Sequence, residues 1–343
     1  MPQADGATKP ATSPVRPVPV TSPAQALKRF VGHGAPPAAV AFSPDGKYLL
    51  SCAGDQAVVV WDIEKGRDVR VFVGHEHGVF GAAWSPDGHR AYSARGGFAF
   101  QQGRPNPADC TVRIWNVTDN KSEGHIDLGL FAANCIVVLP DGQRALVGGG
   151  SREQRAGRWV AAKNQVLVID LAARKVERQF AAHDDAIMSV AVSADGRLAA
   201  TGALDKTVAV WEVETGREVA RFKGHTDRVV GVAISPDGKT VASASLDATA
   251  RTWDVAAGRP LARFDTPKSW TFCVAFTPDG KSVVSGHADK SIRIWDPATG
   301  REQAVLHGSN GHIICLDVSR DGRFIASGGR DKLIQLWEMP PRE

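Results

Sequence analysis

Paired cysteines are absent from this sequence. It contains five cysteines, an odd number, and no two of them form a C-x-x-C pair. This number and spacing of cysteines argue against a zinc site built on such pairs and against a fully paired disulfide framework. A reducing compartment is the environment that it favours.

Long apolar stretches are also missing. No window reaches the roughly 18 consecutive apolar residues that a membrane-spanning helix needs. The first 25 residues are rich in proline, alanine and threonine and lack the continuous apolar core of a secretory signal. The sequence therefore predicts a soluble, cytoplasmic protein that does not bind a membrane.

A strong excess of one charge is missing as well. Lysine and arginine together number 41, whereas aspartate and glutamate number 37. A formal net charge of +4 over 343 residues does not by itself indicate nucleic-acid binding. Any basic surface must come from a local cluster of residues.

Motifs that carry chemistry in other proteins do not occur. The chain has no G-x-x-x-x-G-K-[ST] phosphate loop and no H-E-x-x-H metal motif. Its glycine run at residues 148–150 follows a strand pattern, with no helix after it to hold an anion. We therefore predict no enzymatic activity, no catalytic residue, no metal and no cofactor.

What the sequence has in abundance is repetition. Six segments end in tryptophan followed by aspartate, asparagine or glutamate, and Ile169-Asp170 fills the one gap in the series. Successive markers lie 42 residues apart, except for the first two steps of 54. Such a period indicates one supersecondary unit copied seven times. The six dipeptides are Trp61-Asp62, Trp115-Asn116, Trp211-Glu212, Trp253-Asp254, Trp295-Asp296 and Trp337-Glu338.

A turn motif repeats in step with the tryptophans. Each unit contains Asp-Gly, preceded in most copies by proline, as in Pro44-Asp45-Gly46. Proline presets one backbone angle and glycine accepts a positive φ, so each copy predicts a hairpin turn. Alternating runs rich in β-branched residues flank the turns, and the connections are too short for helices. Each unit is therefore predicted to be a four-stranded antiparallel meander.

Units of about 42 residues with a Gly-His pair, a turn and a terminal Trp-Asp resemble the WD-repeat β-propeller family. The resemblance extends over residues 25–338 and includes the propeller of the G protein β subunit and bacterial WD-repeat proteins. It implies an all-β fold, a seven-bladed β-propeller of four-stranded antiparallel blades. The Gly-His pairs are Gly32-His33, Gly74-His75 and Gly224-His225, with Ala182-His183 as a near match.

The ring is predicted to close through its N-terminal strand. The seventh unit ends at Trp337-Glu338 without a fourth strand of its own, and residues 25–30 align with the fourth strand of unit four, residues 218–222. Pairing residues 25–30 with the last strand of the seventh unit would cover an open edge. Residues 1–24 are then a disordered leader or linker, residues 25–338 the propeller and residues 339–343 a tail. Bacterial relatives often join such propellers to signalling domains through proline-rich linkers, which is compatible with this leader.

Four units share a set of four residues at matching positions. The set is a histidine, a serine (or threonine), an aspartate and a tryptophan. Serine, histidine and aspartate together invite a hydrolase interpretation. A catalytic site is needed only once, however, whereas a buried hydrogen-bond chain is useful in every blade. In the resembled family this tetrad is structural, and we predict the same role here. The tetrads are His33, Ser51, Asp55 and Trp61; His75, Ser93, Asp109 and Trp115; His183, Thr201, Asp205 and Trp211; and His225, Ser243, Asp247 and Trp253.

The position of each cysteine within its repeat predicts whether the side chain is buried or exposed. Cys52, Cys135, Cys273 and Cys315 align with alanine, glycine or serine in other units, so we predict small core residues there. Cys110 aligns with glutamine and lysine instead, and it is predicted to be exposed beside a loop.

The two steps of 54 residues place a 12-residue insertion in the same loop of units two and three, at about residues 95–108 and 148–162. In the family this loop opens on the face that carries the histidine loops, so two adjacent blades would raise one basic and aromatic lobe for a partner. Two alternatives stay open: the loops cover the degenerate third blade, or they are disordered. The lobe residues are Arg95, Phe98, Phe100, Arg104, Arg152, Arg155, Arg158 and Trp159.

A second candidate surface surrounds the central channel on that face. In the resembled family, partners contact the residues three and five after the histidine position and the residue before the tetrad aspartate. Unit six has Pro267 at the histidine position, so a Trp270 that plugs inward is the alternative to an exposed one. The ring residues are Phe80, Met188, Leu204, Arg228, Leu246, Trp270, Phe272, His312, Ile314 and Arg330, beside small ones such as Ala38 and Gly54.

These patterns together predict a non-enzymatic, monomeric interaction scaffold that grips a protein segment of acidic character. Two other interpretations stay open. One is a propeller enzyme or small-ligand binder at the channel mouth, with His312 and Arg228 as its polar candidates. The other is weak nucleic-acid binding by the arginine-rich loops, for which Arg-Gly-Gly-Phe occurs once, at residues 95–98, and not as a repeated motif.

Overall fold

The computed structural model describes residues 26–95, 110–129, 132–155, 158–266 and 269–342, with residues 151–155 and 158–163 described by their backbone alone. The regular elements in these ranges are 29 β-strands. They form seven antiparallel sheets, and the strands pair in chain order in all of them except the last, where the first strand of the chain pairs with the final one. This is the seven-bladed β-propeller that the repeat predicted.

The strands divide evenly among the blades, apart from one extra strand in blade 3. The first strand, β1 (Lys28–Phe30), belongs to blade 7. Blades 1 to 3 contain β2 (Pro37–Phe42), β3 (Tyr48–Ala53), β4 (Val58–Asp62) and β5 (Arg67–Phe72); β6 (Val79–Trp84), β7 (Arg90–Arg95), β8 (Thr111–Asn116) and β9 (Lys121–Asp127); and β10 (Ala132–Val138), β11 (Arg144–Arg155), β12 (Arg158–Lys163), β13 (Gln165–Asp170) and β14 (Lys175–Ala181).

The remaining blades repeat the same order. Blades 4 to 7 contain β15 (Ile187–Val192), β16 (Leu198–Ala203), β17 (Val208–Glu212) and β18 (Glu218–Phe222); β19 (Val229–Ile234), β20 (Thr240–Ser245), β21 (Thr249–Asp254) and β22 (Arg259–Asp265); β23 (Thr271–Phe276), β24 (Val283–His287), β25 (Ile292–Trp295) and β26 (Glu302–Leu306); and β27 (Ile313–Val318), β28 (Phe324–Gly329) and β29 (Ile334–Glu338).

Strand β1 closes the ring. It pairs with β29 so that Lys28 lies opposite Leu336 and Phe30 opposite Ile334. The Phe30 ring is buried and lies 5.7 Å from the Trp61 ring of blade 1. Because β1 covers the outer edge of β29, blade 7 presents no unpaired third strand. The closure predicted from the sequence is confirmed.

The repeat tryptophans fill the spaces between blades. A phenylalanine on the outermost strand of one blade packs against the tryptophan of the next blade, and both side chains are buried. Such aromatic pairs bury a large apolar area and fix the distance between sheets. Their ring centroids are 5.1 Å apart for Phe72 and Trp115, 5.2 Å for Phe222 and Trp253, and 5.6 Å for Phe264 and Trp295.

A β-bulge lies near the start of every innermost strand. The register skips one residue there, which is left without a partner on the second strand. Bulges redirect a side chain away from the plane of the sheet. The skipped residues are Ala38, Phe80, Asn134, Met188, Val230, Phe272 and Ile314.

An antiparallel meander places alternate connections at opposite ends of the strands, so the ring has two faces. The face that carries the Asp-Gly turns between first and second strands is the turn face. The opposite face is the loop face. It carries the connections between second and third strands and those between successive blades.

Several neighbouring Asp-Gly turns lie close together on the turn face. A methyl group added at Gly88 would lie 3.6 Å from Pro44 Cδ of the preceding turn, and one added at Gly142 would lie 3.4 Å from Pro86 Cδ. Blade 4 has Ala194 where most turns have proline. A methyl group at Gly238 therefore reaches only Ser193 Cβ, at 3.7 Å.

We expect Ala194→Pro to raise the free energy of unfolding by about 0.5–1 kcal/mol, because proline reduces the freedom of the unfolded chain where the native turn already suits it. The Gly196 amide donates to the Ser193 carbonyl at 2.9 Å, the same geometry that Gly46 and Ser43 adopt around Pro44. Urea denaturation measures the change, with Ala194→Gly as a control that should be less stable than the wild type. A proline variant that unfolds at lower urea than the wild type would contradict the expectation.

The insertion of blade 3 is a continuation of its second strand. The last part of β11 pairs with β12, with Gln154 opposite Trp159 and Arg155 opposite Arg158. The pairing of β11 with β13 ends at Gly148, and this two-stranded ribbon begins at Ser151 on the loop face. The blade 2 insertion, with Phe98, Phe100, Arg104 and Asp109, lies outside the described residues.

Candidate functional site

A continuous hydrogen-bond chain runs through the tetrad of blade 5. His225 Nε2 lies 2.8 Å from Ser243 Oγ, and its Nδ1 lies 2.8 Å from Asp247 Oδ2. Trp253 Nε1 donates to Ser243 Oγ at 2.9 Å. If Nδ1 carries the imidazole proton, the tryptophan donates to the serine, the serine to the histidine and the histidine to the aspartate, so every buried polar atom is satisfied.

The same chain recurs in the predicted tetrads of blades 1 and 4, and blade 2 shows its histidine, serine and tryptophan, since Asp109 lies outside the described residues. In blade 1, His33 lies 3.0 Å from Asp55 and 2.7 Å from Ser51, which accepts from Trp61 at 2.8 Å. In blade 4, His183 lies 2.9 Å from Asp205 and 2.7 Å from Thr201, which accepts from Trp211 at 2.8 Å. In blade 2, Ser93 lies 2.8 Å from both His75 Nε2 and Trp115 Nε1.

The environment of this chain suits a structural connection. Burial lowers the pKa of His225, and the hydrogen bond to Asp247 only partly opposes that effect. Burial would raise the pKa of Asp247, but hydrogen bonds from His225 and Thr249 outweigh it and hold the pKa well below its ordinary value. The serine and threonine hydroxyls of the four tetrads are completely buried, so no substrate could reach them as it must reach a nucleophile.

Blade 6 contains a buried serine–histidine pair that the sequence pattern did not predict. Its histidine position holds Pro267, but His287, on the second strand, places Nε2 2.7 Å from Ser285 Oγ. Burial lowers the pKa of His287 to about 3, so the imidazole is neutral at physiological pH. Trp295 Nε1 has no hydrogen-bond partner among the described residues. A histidine two residues after the tetrad serine was the available signal.

Backbone hydrogen bonds join the predicted ring residues in pairs on the loop face. The amide of Leu246 donates to the carbonyl of Arg228 at 3.0 Å, and the amide of Arg330 donates to that of His312 at 2.9 Å. The same bond joins Leu204 to Ala186 at 3.0 Å and Ala288 to Trp270 at 2.9 Å. Each pair fastens one blade-connecting loop to the turn between second and third strands, so the ring residues sit on a rigid frame.

Three of these residues form a continuous aromatic strip, defined as Trp270, Phe272 and His312. The rings of Trp270 and Phe272 meet edge to face, with centroids 6.1 Å apart. Phe272 stacks on His312 of the next blade, also at 6.1 Å, with an interplanar angle of 19°. The strip therefore spans the junction of blades 6 and 7. Trp270 is 49% exposed, so it points outward and does not plug the fold.

The other ring residues differ in exposure. Phe80 is 40% exposed, Arg228 and Arg330 are exposed, and Met188, Leu204, Leu246 and Ile314 are half-buried. Asn134 occupies the bulge position of blade 3 and was missing from the prediction, because that blade has no histidine from which to count. Its Nδ2 donates to the carbonyl of Ile187 at 2.9 Å, beside Met188.

Two residues near the blade 2 insertion lie deeper than the sequence suggested. Cys110 is 7% exposed, so the prediction of an exposed cysteine was wrong. The ends of β7 and β8 enclose it, with Arg95 Nη1 3.8 Å from its sulfur and Leu128 donating to its carbonyl. Arg95, assigned to the basic lobe, is itself only 4% exposed. Arg152, Arg155, Arg158 and Trp159 occupy the β11–β12 ribbon.

Among the residues that the structure describes, none forms a helix with the length and hydropathy that crossing a membrane requires. Over the same residues, no three histidine, cysteine, aspartate or glutamate side chains cluster as ligands for a metal ion.

Comparison with known proteins gives a consistent result along the chain. The family model described as "WD domain, G-beta repeat" matches residues 24–62 and 66–116, and the model described as "IFT122 first beta-propeller" matches residues 159–339. Transcription initiation factor TFIID subunit 5 of Caenorhabditis elegans is 29% identical over 193 residues, which are 56% of this chain and 26% of that relative. The chain thus spans about a quarter of the relative's length.

Propellers of this kind generally serve as non-enzymatic scaffolds for protein interactions. The second family model covers more than half of the chain, and the seven blades with their buried tryptophans agree with both models. The chain belongs to the WD-repeat β-propeller family.

Proposed function

We propose that this protein is a non-enzymatic scaffold that binds a partner protein segment on its loop face, around the mouth of the central channel. The observation that carries the proposal is the exposed aromatic strip. An indole half open to solvent beside a second aromatic ring is an apolar surface that a partner would cover with a gain in free energy. Trp270 lies where a bound segment could contact blades 6 and 7 at once.

The partner segment is proposed to be acidic. Arg228 and Arg330 lie on the same ring and are exposed, and neither guanidinium has an ion-pair partner among the described residues. Tryptophan and arginine are the side chains most enriched at the energetic centres of interfaces. A carboxylate on the partner could pair with either arginine while an apolar neighbour packs on the aromatic strip.

The ribbon of blade 3 extends the proposed interface. Its backbone register places Arg155 opposite Arg158, and Arg152 lies on the same ribbon, so three basic residues belong to this extension of the loop face. This supports the lobe as a partner site over the alternative of a disordered loop.

We propose in addition that the scaffold is monomeric and cytoplasmic. All five cysteines lie within the described ranges and none forms a disulfide, which fits a reducing compartment.

A peptide array of random sequences, graded by net charge, tests the proposal. We expect the intact protein to enrich acidic peptides and the double variant Trp270→Ala/Arg228→Ala to lose at least tenfold in affinity, about 1.4 kcal/mol. The matched control is Leu261→Ala/Arg259→Ala, which removes an exposed apolar and an exposed basic residue from the outer strand of blade 5. Equal binding by both variants, or enrichment of basic peptides on the loop face, would contradict the proposal.

A further inference from the structure

A groove of about 660 Å³ lies on the turn face between blades 1 and 2. Its floor is formed by Trp84 and the apolar side chains of Val60, Val69 and Val117, with Tyr48 at one side. Carboxylates rim it, from the Asp-Gly turns of both blades and from the end of β4. The rim carboxylates are Asp45, Asp62 and Asp87.

The shape of the groove depends on Trp84. Six other blades have phenylalanine, valine or isoleucine at this position, the end of the innermost strand. The Trp84 indole is nearly buried and donates through Nε1 to the carbonyl of Ala41 at 3.2 Å, which ties it to the innermost strand of blade 1. Pro44 and Gly88, one from each turn, both line the groove, as do the two turn aspartates.

The cationic side chains within the groove are already engaged. Lys65 Nζ donates to Asp62 Oδ2 at 2.9 Å. Arg70 donates through Nε to the carbonyl of Val117 at 3.1 Å and through Nη1 to that of Val69 at 2.8 Å, so it connects blade 1 to blade 2. His89 lies 3.5 Å from the hydroxyl of Thr118.

The two turn carboxylates, in contrast, have an oxygen to spare. Asp45 and Asp87 each use Oδ1 to accept from a serine hydroxyl and a backbone amide of their own turn. Among the described residues, Oδ2 of Asp87 takes no hydrogen bond, and Oδ2 of Asp45 has only the exposed Lys47 at 4.0 Å. The hydrogen bond from Ser85 keeps the pKa of Asp87 below its ordinary value, so the group is ionised at neutral pH.

The chain itself shows what such a turn binds. In blade 6, Arg342 of the C-terminal tail donates to both oxygens of Asp279 and to Thr277 Oγ1, the residues equivalent to Asp45 and Ser43. In blade 3, Arg144 Nε donates to Asp141 Oδ2 at 3.1 Å. A guanidinium thus hydrogen-bonds to the spare oxygen of this turn in two blades, and in blade 4 Arg197 Nε lies 3.8 Å from Asp195 Oδ2. No arginine of the described chain reaches this oxygen in blades 1 and 2.

We propose that the groove between blades 1 and 2 binds an arginine side chain of a partner protein. The guanidinium forms charge-assisted hydrogen bonds with Oδ2 of Asp45 and of Asp87. The aliphatic stem of the arginine packs on Trp84 and the valine floor. This site lies on the face opposite to the proposed acidic-segment interface and selects the opposite charge, so it stands independently of that function.

Titration of the ¹⁵N-labelled full chain with acetyl-Gly-Arg-Gly-amide tests the site. We expect shift changes centred on the Trp84 indole and the Gly88 amide, and at least tenfold weaker binding of the citrulline analogue, which keeps the shape and lacks the charge. Asp45→Asn/Asp87→Asn should weaken binding at least tenfold. Asp237→Asn, the same change in the turn of blade 5, should leave it unaltered.

Thermal midpoints of the variants show whether they remain folded. We expect them to be unchanged, because asparagine retains the Oδ1 acceptor that each turn uses. Trp84→Phe serves as a second variant that keeps an apolar core residue and narrows the floor, and it should also weaken binding. Equal binding of the arginine and citrulline peptides, equal shifts at all seven turns, unchanged affinity of the double variant or no response at millimolar peptide would each overturn the proposal.

Discussion

Removal of residues 1–31 is expected to abolish the cooperative unfolding transition of the propeller. The deletion takes away β1, and with it the only cover on the outer edge of β29 among the described residues. It also removes Phe30 from a cluster with Trp61, Ile334 and Leu336. Loss of a buried phenylalanine alone costs about 3–5 kcal/mol, against a typical total stability of about 5–15 kcal/mol.

The deletion also separates blades 7 and 1. Lys28 Nζ donates to the carbonyls of Ile63 and Glu64 at 2.6 and 2.7 Å, so β1 fastens the last blade to the first. Calorimetry of the full chain, of a 1–31 deletion and of a control deletion of residues 1–25, which retains β1, measures the effect. The control is expected to keep the wild-type thermal midpoint. An unchanged midpoint in the 1–31 deletion would refute the closure as a source of stability.

His225→Ala is expected to lower the free energy of unfolding by about 2–4 kcal/mol, as for other broken buried networks. The substitution leaves Ser243 without its histidine acceptor and Asp247 without its strongest donor, so two buried polar groups lose partners at once. Asp247 also accepts from the amide of Thr226 at 3.0 Å, and this bond holds the loop between blades 4 and 5. Urea denaturation at neutral pH measures the loss.

Blade 7 provides the matched control for this network. Its histidine position holds Ser309, which donates to the carbonyl of Gly311 at 2.9 Å and more weakly to Asp331 Oδ2 at 3.4 Å, while Trp337 donates to Ser327 at 2.8 Å. Ser309→Ala is therefore expected to cost less than about 1 kcal/mol. Equal losses for His225→Ala and Ser309→Ala would show that the tetrad contributes no more than an ordinary loop contact. Loss of a binding or catalytic activity with stability unchanged would contradict its structural role.

The strands could be predicted from the sequence because the residues that specify them lie within one blade. Proline before Asp-Gly specifies a turn by local backbone geometry, and alternation on both sides specifies strands. The ring closure was also predictable, since the missing fourth strand of unit seven and the spare strand at residues 25–30 complement each other in the register. Cys110 was misplaced because register alone does not tell which strand ends enclose a residue after an insertion.

The candidate surfaces were predictable only as positions. Counting from the histidine identified Trp270, Phe272 and His312, but nothing in the spacing showed that their rings touch across two blades. His287 was missed because it lies on the second strand of blade 6. The repeat pattern places the histidine that bonds to the tetrad serine in the loop before the first strand.

By itself, the amino-acid sequence determined the number of blades, their meander, the closing strand and the positions that face the loop side. Each of these follows from contacts between residues close in sequence or from equivalence between repeats. Only the tertiary structure decided which side chains of neighbouring blades meet: the aromatic strip of blades 6 and 7, and the acidic groove between blades 1 and 2 that has Trp84 in its floor. The physical reason is that these neighbours lie a full repeat apart in the chain. Their approach depends on how two sheets pack, which no local pattern records.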